Sequence, residues 1–573
     1  MARKRFGRSL FSCLKQQLDC TEKRRLTIAT KRWCYAGWVM LIVVFAALHA
    51  LHLRADFPNY SPWTFDWAKF TDEGWYGNAA IRAHLFGYWH VAGDFNPAVA
   101  LPVLPFLEWL LFFVTGVTPE AARGLVVAFF FANLVLSYLL VRSSGARWAG
   151  LLAVTLMVTS AFLYCFSRLA ILEPLLMTFT LGAMNLAVRL PRLAKPVRAA
   201  MMIGLLFTLM MLTKTTAVFL LPALVWALVL PLRHRLGEAV GCALAALGSF
   251  AISYGLWMAL VWRRGLLGDY KYLFFVNAYP KPREFYWPVV SALWSLHGGL
   301  WIDHILFPLG GLIVAGAVLA SFNRGVRGDT AASLAWRAWG RALLLDPVLG
   351  ASVWAAAGYI FFMAIQDHPQ PRYFAVVAFF CFIIIARGAE ALLGQTMARP
   401  VAQVRMAGWA VIGVAGLATI LNGAQQVNYA LHPQYTFVDA ATQLAQYIDE
   451  HPNGKRLLVS ISGDELSLVD HVPALCDDFV TPTATIPGLA EKLAYYQPGW
   501  YAAWNDLDPN TFVELHIHFS LEQVATFNAF DDPDRNQLLL FKLHPLPGGK
   551  VRDPDEQNLQ VPLPDDSIPA PND

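Results

Sequence analysis

Apolar blocks of about 20 residues follow one another along most of this chain, and that length crosses the core of a bilayer. Candidate spans lie near 33–51, 121–141, 149–165, 171–188, 199–213, 217–231, 239–261, 304–321, 348–365, 374–386 and 407–423. The turns of a soluble fold would cut such blocks into shorter pieces. Composition agrees: 57% of the 573 residues are hydrophobic and 15% are charged, where soluble proteins carry roughly a quarter, and mean hydropathy is +0.45. A soluble enzyme is excluded. The expectation is a polytopic α-helical membrane protein of about 11 to 13 transmembrane helices. One further apolar stretch, 99–118, carries Pro102, Pro105 and Glu108 and reads as interfacial or re-entrant.

Basic residues set the expected orientation. Residues 1–32 hold Arg3, Lys4, Arg5, Arg8, Lys15, Lys23, Arg24, Arg25, Lys31 and Arg32 against Asp19 and Glu22. This reads as a cytoplasmic tail before a signal anchor, not as a nucleic-acid arm, because no aromatics interleave. With the tail inside and 99–118 not crossing, Arg142, Arg189, Arg233, Arg324, Arg387 and Arg399 all fall in inside loops, as the positive-inside bias requires. The C-terminus then lies outside. The expected localisation is a bacterial inner membrane, with the C-terminal part periplasmic. The seven cysteines show no Cys-x-x-Cys motif and no pairing framework.

The division expected is a tail at 1–32, a membrane domain at 33–423 with a long outer loop at 52–98, an outer α/β domain at 424–543, and a disordered Pro- and Asp-rich end at 544–573. Within the α/β domain, Phe437–His451 and 486–498 read as helices. Arg456–Ser462, Phe512–Phe519 and Gln537–Leu543 read as strands.

Polar residues at membrane depth are expensive and therefore informative. Four clusters fall on the expected outer face. Thr71-Asp72-Glu73 pairs two acids, suited either to a helix start or to taking a proton from an acceptor. Arg168 precedes Glu173, and its planar fork of donors suits a phosphate. Lys214 is a lone cation between apolar runs, placed for snorkelling or for a lipid phosphate. Asp367-His368-Pro369-Gln370-Pro371-Arg372-Tyr373 is a proline-stiffened turn with a cation and an aromatic residue. Each has an ordinary structural role when taken singly. Together, acids and cations on one face suit the reaction of a phosphate-linked donor with a hydroxyl or amine, in which the cations stabilise a departing phosphate.

The strings DEGWYGNAAIRAHLFGYW and FNPAVALPVLPFLEW resemble the first outer loop of GT-C membrane glycosyltransferases, notably lipid A aminoarabinose transferases and relatives of the protein O-mannosyltransferases. YCFSRLAILEPLLMTF, LMMLTKTTAVFLLPAL and HPQPRYF are similar to later segments of the same type, over roughly residues 33–390. The resemblance implies a GT-C-like fold, a polyprenyl-phosphate sugar donor, and an inverting transfer to a lipid, glycan or protein acceptor. It makes Asp72 the catalytic base or the residue that orients the acceptor, with Glu73 supporting it and Glu173 standing as a second acid. Arg168, Lys214, Arg372 and Tyr373 become donor-phosphate residues. The chain departs from the type where Phe95-Asn96-Pro97 replaces a Glu-Lys-Pro step and Thr215 replaces a glycine. Some members use a divalent metal, but no metal-ligand spacing appears here, and no cofactor is expected. A transporter or flippase of polyprenyl-linked glycans is the competing class. It would show repeated halves and broken helices, and no such symmetry is visible.

Overall fold

The computed structural model describes residues 33–63, 66–277, 303–322, 331–365, 370–394, 402–505, 507, 509–529 and 535–547. The basic tail, most of the 262–303 segment, Asp367, His368 and the end of the chain lie outside the described residues. The chain divides into two compact units. One is Met1–Lys69 with Ala98–Gln434, and the other is Phe70–Pro97 with Tyr435–Asp573.

The helices, in chain order, begin with α1 (Trp33–His49) and α2 (Asp72–Phe86), the latter in the second unit. The first unit continues with α3 (Val103–Thr115), α4 (Pro119–Ser144), α5 (Arg147–Val158), α6 (Ala161–Phe166), α7 (Leu172–Ala187) and α8 (Pro196–Thr213). Then come α9 (Leu221–Val229), α10 (Leu236–Arg263), α11 (Leu267–Lys271), α12 (Leu306–Phe322), α13 (Ala331–Leu344), α14 (Pro347–Ile365), α15 (Phe374–Leu393) and α16 (Ala402–Leu431). Each expected span falls on helical structure, that at 149–165 on two helices, α5 and α6, and seven helical stretches are long and apolar enough to cross a membrane. The protein is therefore an integral membrane protein. α3 has 13 residues and rises about 20 Å, short of a bilayer core of about 30 Å.

Apolar distribution sorts the helices into central and peripheral. α15 is buried on nearly every residue from Phe374 to Ala389, as a helix apolar all round must be. α10 buries only Ala239, Cys242 and Val261. It exposes Leu236, Val240, Leu244, Leu247, Ile252, Leu256 and Leu260, a helical stripe that suits lipid and not water. Close approach uses small residues, as membrane helices commonly do. A Cβ at Gly204 of α8 would sit 2.0 Å from the Ala246 carbonyl oxygen of α10. At the far end of α15, Arg387 bonds Asp346 and Glu390, and Glu390 accepts from the Ala146 backbone N–H. That network ties α5, α14 and α15 through buried charge.

The second unit combines α2 and its following loop with the C-terminal region. The helices there are α17 (Thr436–Glu450), α18 (Gly463–Asp470), α19 (Leu489–Tyr496) and α20 (Pro509–His518). The strands β1 (Leu458–Val459), β2 (Ala474–Leu475), β3 (Trp500–Trp504), β4 (Phe519–Asn528) and β5 (Gln537–Pro545) form one sheet in the order β2-β1-β3-β5-β4. β1 runs parallel to β2 and β3, while β5 is antiparallel to β3 and β4. β3 is buried on all five residues, as a covered central strand requires. Val459, Leu475, Leu493, Tyr501, Leu515, Phe519 and Phe541 fill the core.

Two sequence expectations for this region need correction. Phe512–Phe519 is not a strand: its apolar alternation ends a helix, α20, and only Phe519 begins a strand. Pro509 opens α20 at the position proline favours, and Thr511 and Leu515, four residues apart, are its buried face. The expected strand Arg456–Ser462 contracts to two residues paired with Ala474 and Leu475. Residues 70–97 share a compact unit with the C-terminal region.

Candidate functional site

In the membrane unit, four chain segments bring charged groups together. Glu173 stands in the first turn of α7, where a carboxylate suits the positive end of the helix. α8 ends at Thr213, and Lys214 turns extended at its C-cap. The Lys214 ammonium bonds Oε1 of Glu173 and lies 4.6 Å from the Tyr373 ring centre. The Arg372 guanidinium lies 5.0 Å from the same ring. Its Nη1 donates to Oδ1 of Asp66 at 2.5 Å, and its backbone N–H donates to Oδ2 at 2.7 Å. Asp66 Oδ1 also accepts the Ala68 N–H at 2.8 Å.

The result is a continuous row, Glu173–Lys214–Tyr373–Arg372–Asp66, whose four charged members are all buried. Two cations against two carboxylates balance it. A buried pair stripped of one partner is left with an uncompensated charge, so the row holds together as a unit. Oε2 of Glu173 is buried and finds no hydrogen-bond donor among the described residues. That carboxylate therefore retains acceptor capacity for a ligand.

Arg168 is placed differently. Its terminal nitrogens donate to the carbonyls of Leu51 and His52 and to the Tyr164 hydroxyl, the last two at 2.7 and 2.6 Å. The fork stitches the chain just past α1 to α6, where His49 also bonds the Ser167 hydroxyl at 2.9 Å.

In the second unit, Asp72 and Glu73 open α2, and both are buried. Thr71 makes no side-chain cap bond to the helix; its hydroxyl donates to Asp72 Oδ1 at 3.3 Å. The Gly74 N–H instead donates to Oε2 of Glu465 at 2.7 Å. Farther along α2, Arg82 bridges Asp94 at 2.7 Å and Asp464 at 2.9 Å, and Lys492 donates to Asp94 at 3.1 Å. Burial pushes the Asp464 carboxyl up to about 6, with the Arg82 charge opposing and Asp94 reinforcing.

Glu173, Lys214, Arg372 and Tyr373 thus meet in one cluster, Arg168 serves another, and Asp72 and Glu73 belong to the other compact unit. Sequence reasoning missed Asp66, whose only signal is an acid set inside the aromatic run Trp63-Thr64-Phe65-Asp66-Trp67. It also missed Arg82, Asp464 and Glu465. Spacing four along α2, from Gly74 to Asn78 to Arg82, was the legible hint. Among the described residues, no group of three His, Cys, Asp or Glu side chains could hold a metal ion.

Residues 97–257 match the family described as dolichyl-phosphate-mannose-protein mannosyltransferase. The crystal structure of ArnT from Cupriavidus metallidurans bound to undecaprenyl phosphate superposes with a TM-score of 0.54 at 15% identity, covering 88% of this chain and 98% of that one. Its apo form gives 0.53 at 14%, covering 89% and 98%. The apo oligosaccharyltransferase from Archaeoglobus fulgidus gives 0.49 at 13%, covering 83% and 70%. No curated protein sequence matches the chain. The likeness to the two ArnT structures shows a shared fold.

Proposed function

We propose that this chain, built on the GT-C fold, transfers a sugar from a polyprenyl-phosphate donor to a lipid, glycan or protein acceptor at the outer face of the inner membrane. The observation that carries the reading is the buried Lys214–Tyr373–Arg372 row in a membrane unit of this fold. Two cations sharing an aromatic face, each also held by a carboxylate, are placed to meet an incoming anion, and a phosphate esterified to a lipid is such an anion. The ligand bound to the Cupriavidus protein, undecaprenyl phosphate, is of this chemistry.

Asp72 takes the proton of the acceptor hydroxyl or amine. The acceptor atom attacks the sugar's anomeric carbon from the face opposite the phosphate, and a new bond to that carbon forms as the carbon–oxygen bond to phosphate breaks. The polyprenyl phosphate leaves with the electron pair, its charge met by Lys214 and Arg372. Attack from the opposite face inverts the anomeric centre. Glu173 and Asp66 hold the two cations in place, and the open oxygen of Glu173 is available to a donor hydroxyl. Glu73 supports Asp72 from the same helical turn.

The test is transfer by the full chain in membranes, using undecaprenyl-phosphate mannose and undecaprenyl-phosphate aminoarabinose with mixed lipid and peptide acceptors. Asp72→Asn is expected to lower kcat by about 10²–10⁴-fold at normal expression. Wild-type turnover in that variant removes Asp72 from the chemistry. Movement of lipid-linked sugar across the membrane without transfer to any acceptor replaces the enzyme reading with a transporter.

A further inference from the structure

Gly74, Asn78 and Arg82 lie four residues apart and so line one face of α2. All three meet the adjacent acids Asp464 and Glu465 at the start of α18. Asp464 Oδ2 accepts from Asn78 at 3.1 Å and Oδ1 from Arg82 at 2.9 Å, while Glu465 Oε2 accepts the Gly74 N–H at 2.7 Å. Trp75 adds a bond from its indole N–H to the Ile461 carbonyl at 3.1 Å. Both acids are buried.

The Gly74 bond differs in kind from the others. The first backbone N–H groups of a helix have no partner within it, and a cap residue normally supplies an acceptor. Thr71 does not do so here. Glu465 supplies it from a distant part of the chain, and an ionised acceptor makes the stronger form of such a bond. The approach requires glycine, because a Cβ at position 74 would stand 2.1 Å from the Glu465 backbone nitrogen. Asp72 and Glu73 occupy the same first turn.

We propose that Glu465 is a positioning residue for Asp72, and that the C-terminal α/β region is the mount on which the proton-accepting carboxylate is held. The proposal rests on the reading of Asp72 as base. It assigns the C-terminal region a part in catalysis.

Two readouts on the full chain in lipid nanodiscs test it. Hydrogen exchange at the Gly74 amide is expected to quicken by about tenfold or more in Glu465→Ala. Turnover with undecaprenyl-phosphate mannose and undecaprenyl-phosphate aminoarabinose should show kcat lowered by about 10²-fold and donor KM unchanged. Glu465→Gln keeps an acceptor oxygen at the same reach and is expected to restore kcat. In an Asp72→Asn background Glu465→Ala should cause no further loss. Wild-type kcat in Glu465→Ala beside an inactive Asp72→Asn overturns the positioning role alone. Wild-type kcat in Asp72→Asn overturns the base reading and the proposal with it. A raised KM at unchanged kcat also overturns the proposal. If Glu465→Ala does not fold, Glu465→Asp replaces it: a loss of kcat there, spared in Glu465→Gln, supports the proposal, and equal activity in the two sinks it.

Discussion

Asp66 and Glu173 each meet one cation of the same row, so the stability of either charge depends on its partner. Removing the Lys214 ammonium with Lys214→Met strands a buried Glu173 carboxylate, which costs about 3–5 kcal/mol in comparable cases. The expected outcome is a clearly lower melting temperature in detergent. Adding Glu173→Gln should recover most of that loss and none of the activity. A single variant that melts like the wild type would show that the pair carries no stability. Arg168 is expected to behave otherwise. Its donors hold the carbonyls of Leu51 and His52, a forked geometry lysine does not reproduce. Arg168→Lys should therefore lower stability by about 1–3 kcal/mol and leave donor KM unchanged. A rise in KM without loss of stability would return Arg168 to the phosphate.

The helices and strands show where local pattern suffices. α17 and α19 stand where the amphipathic repeats at 437–451 and 486–498 place them, because one buried face repeats every three or four residues. α20 was misread because an alternating run of eight residues also satisfies a strand, and only packing of Leu515 into the core decides. The fit of α2 against α18 depends on an absent side chain. Gly74→Ala places a methyl group against the Asp464–Glu465 backbone and should destabilise this unit by at least about 1–3 kcal/mol. Asp464 adds a pH dependence. Its carboxyl titrates at about 6 in the folded chain against 3.8 in the unfolded one, so the folded state holds a proton that the unfolded state has released. Stability is expected to fall as pH rises from 3.8 to about 6 and to level off above. Thermal melts followed by Trp500 and Trp504 fluorescence check this, and Asp464→Asn should flatten the slope.

At the scale of the whole molecule, orientation is the prediction that organises the rest. The arginine distribution sends the loop after α9 inside and the C-terminal region outside. An impermeant maleimide added to sealed cells should label Lys455→Cys and leave Arg233→Cys unlabelled, two positions that are exposed. Labelling of Arg233→Cys alone would invert the topology and remove the outer-face reaction. Exposed apolar stripes such as that of α10 and the buried ion network around Arg387 belong to a unit that lipid surrounds.

Hydropathy is a sum over neighbouring residues, so the sequence alone determined a membrane protein, the place of each long helix and the presence of a mixed C-terminal region. It also marked Asp72, Glu173, Lys214 and Arg372 as unusual, because charge beside apolar runs is visible locally. Which of them meet was decided only by the tertiary structure. Glu173 finds Lys214 and Arg372 finds Asp66 across long stretches of chain, and no local pattern encodes a partner at that separation. The same holds for Glu465 and Gly74. A backbone N–H looks alike in every sequence, and only the folded chain shows which carboxylate it reaches.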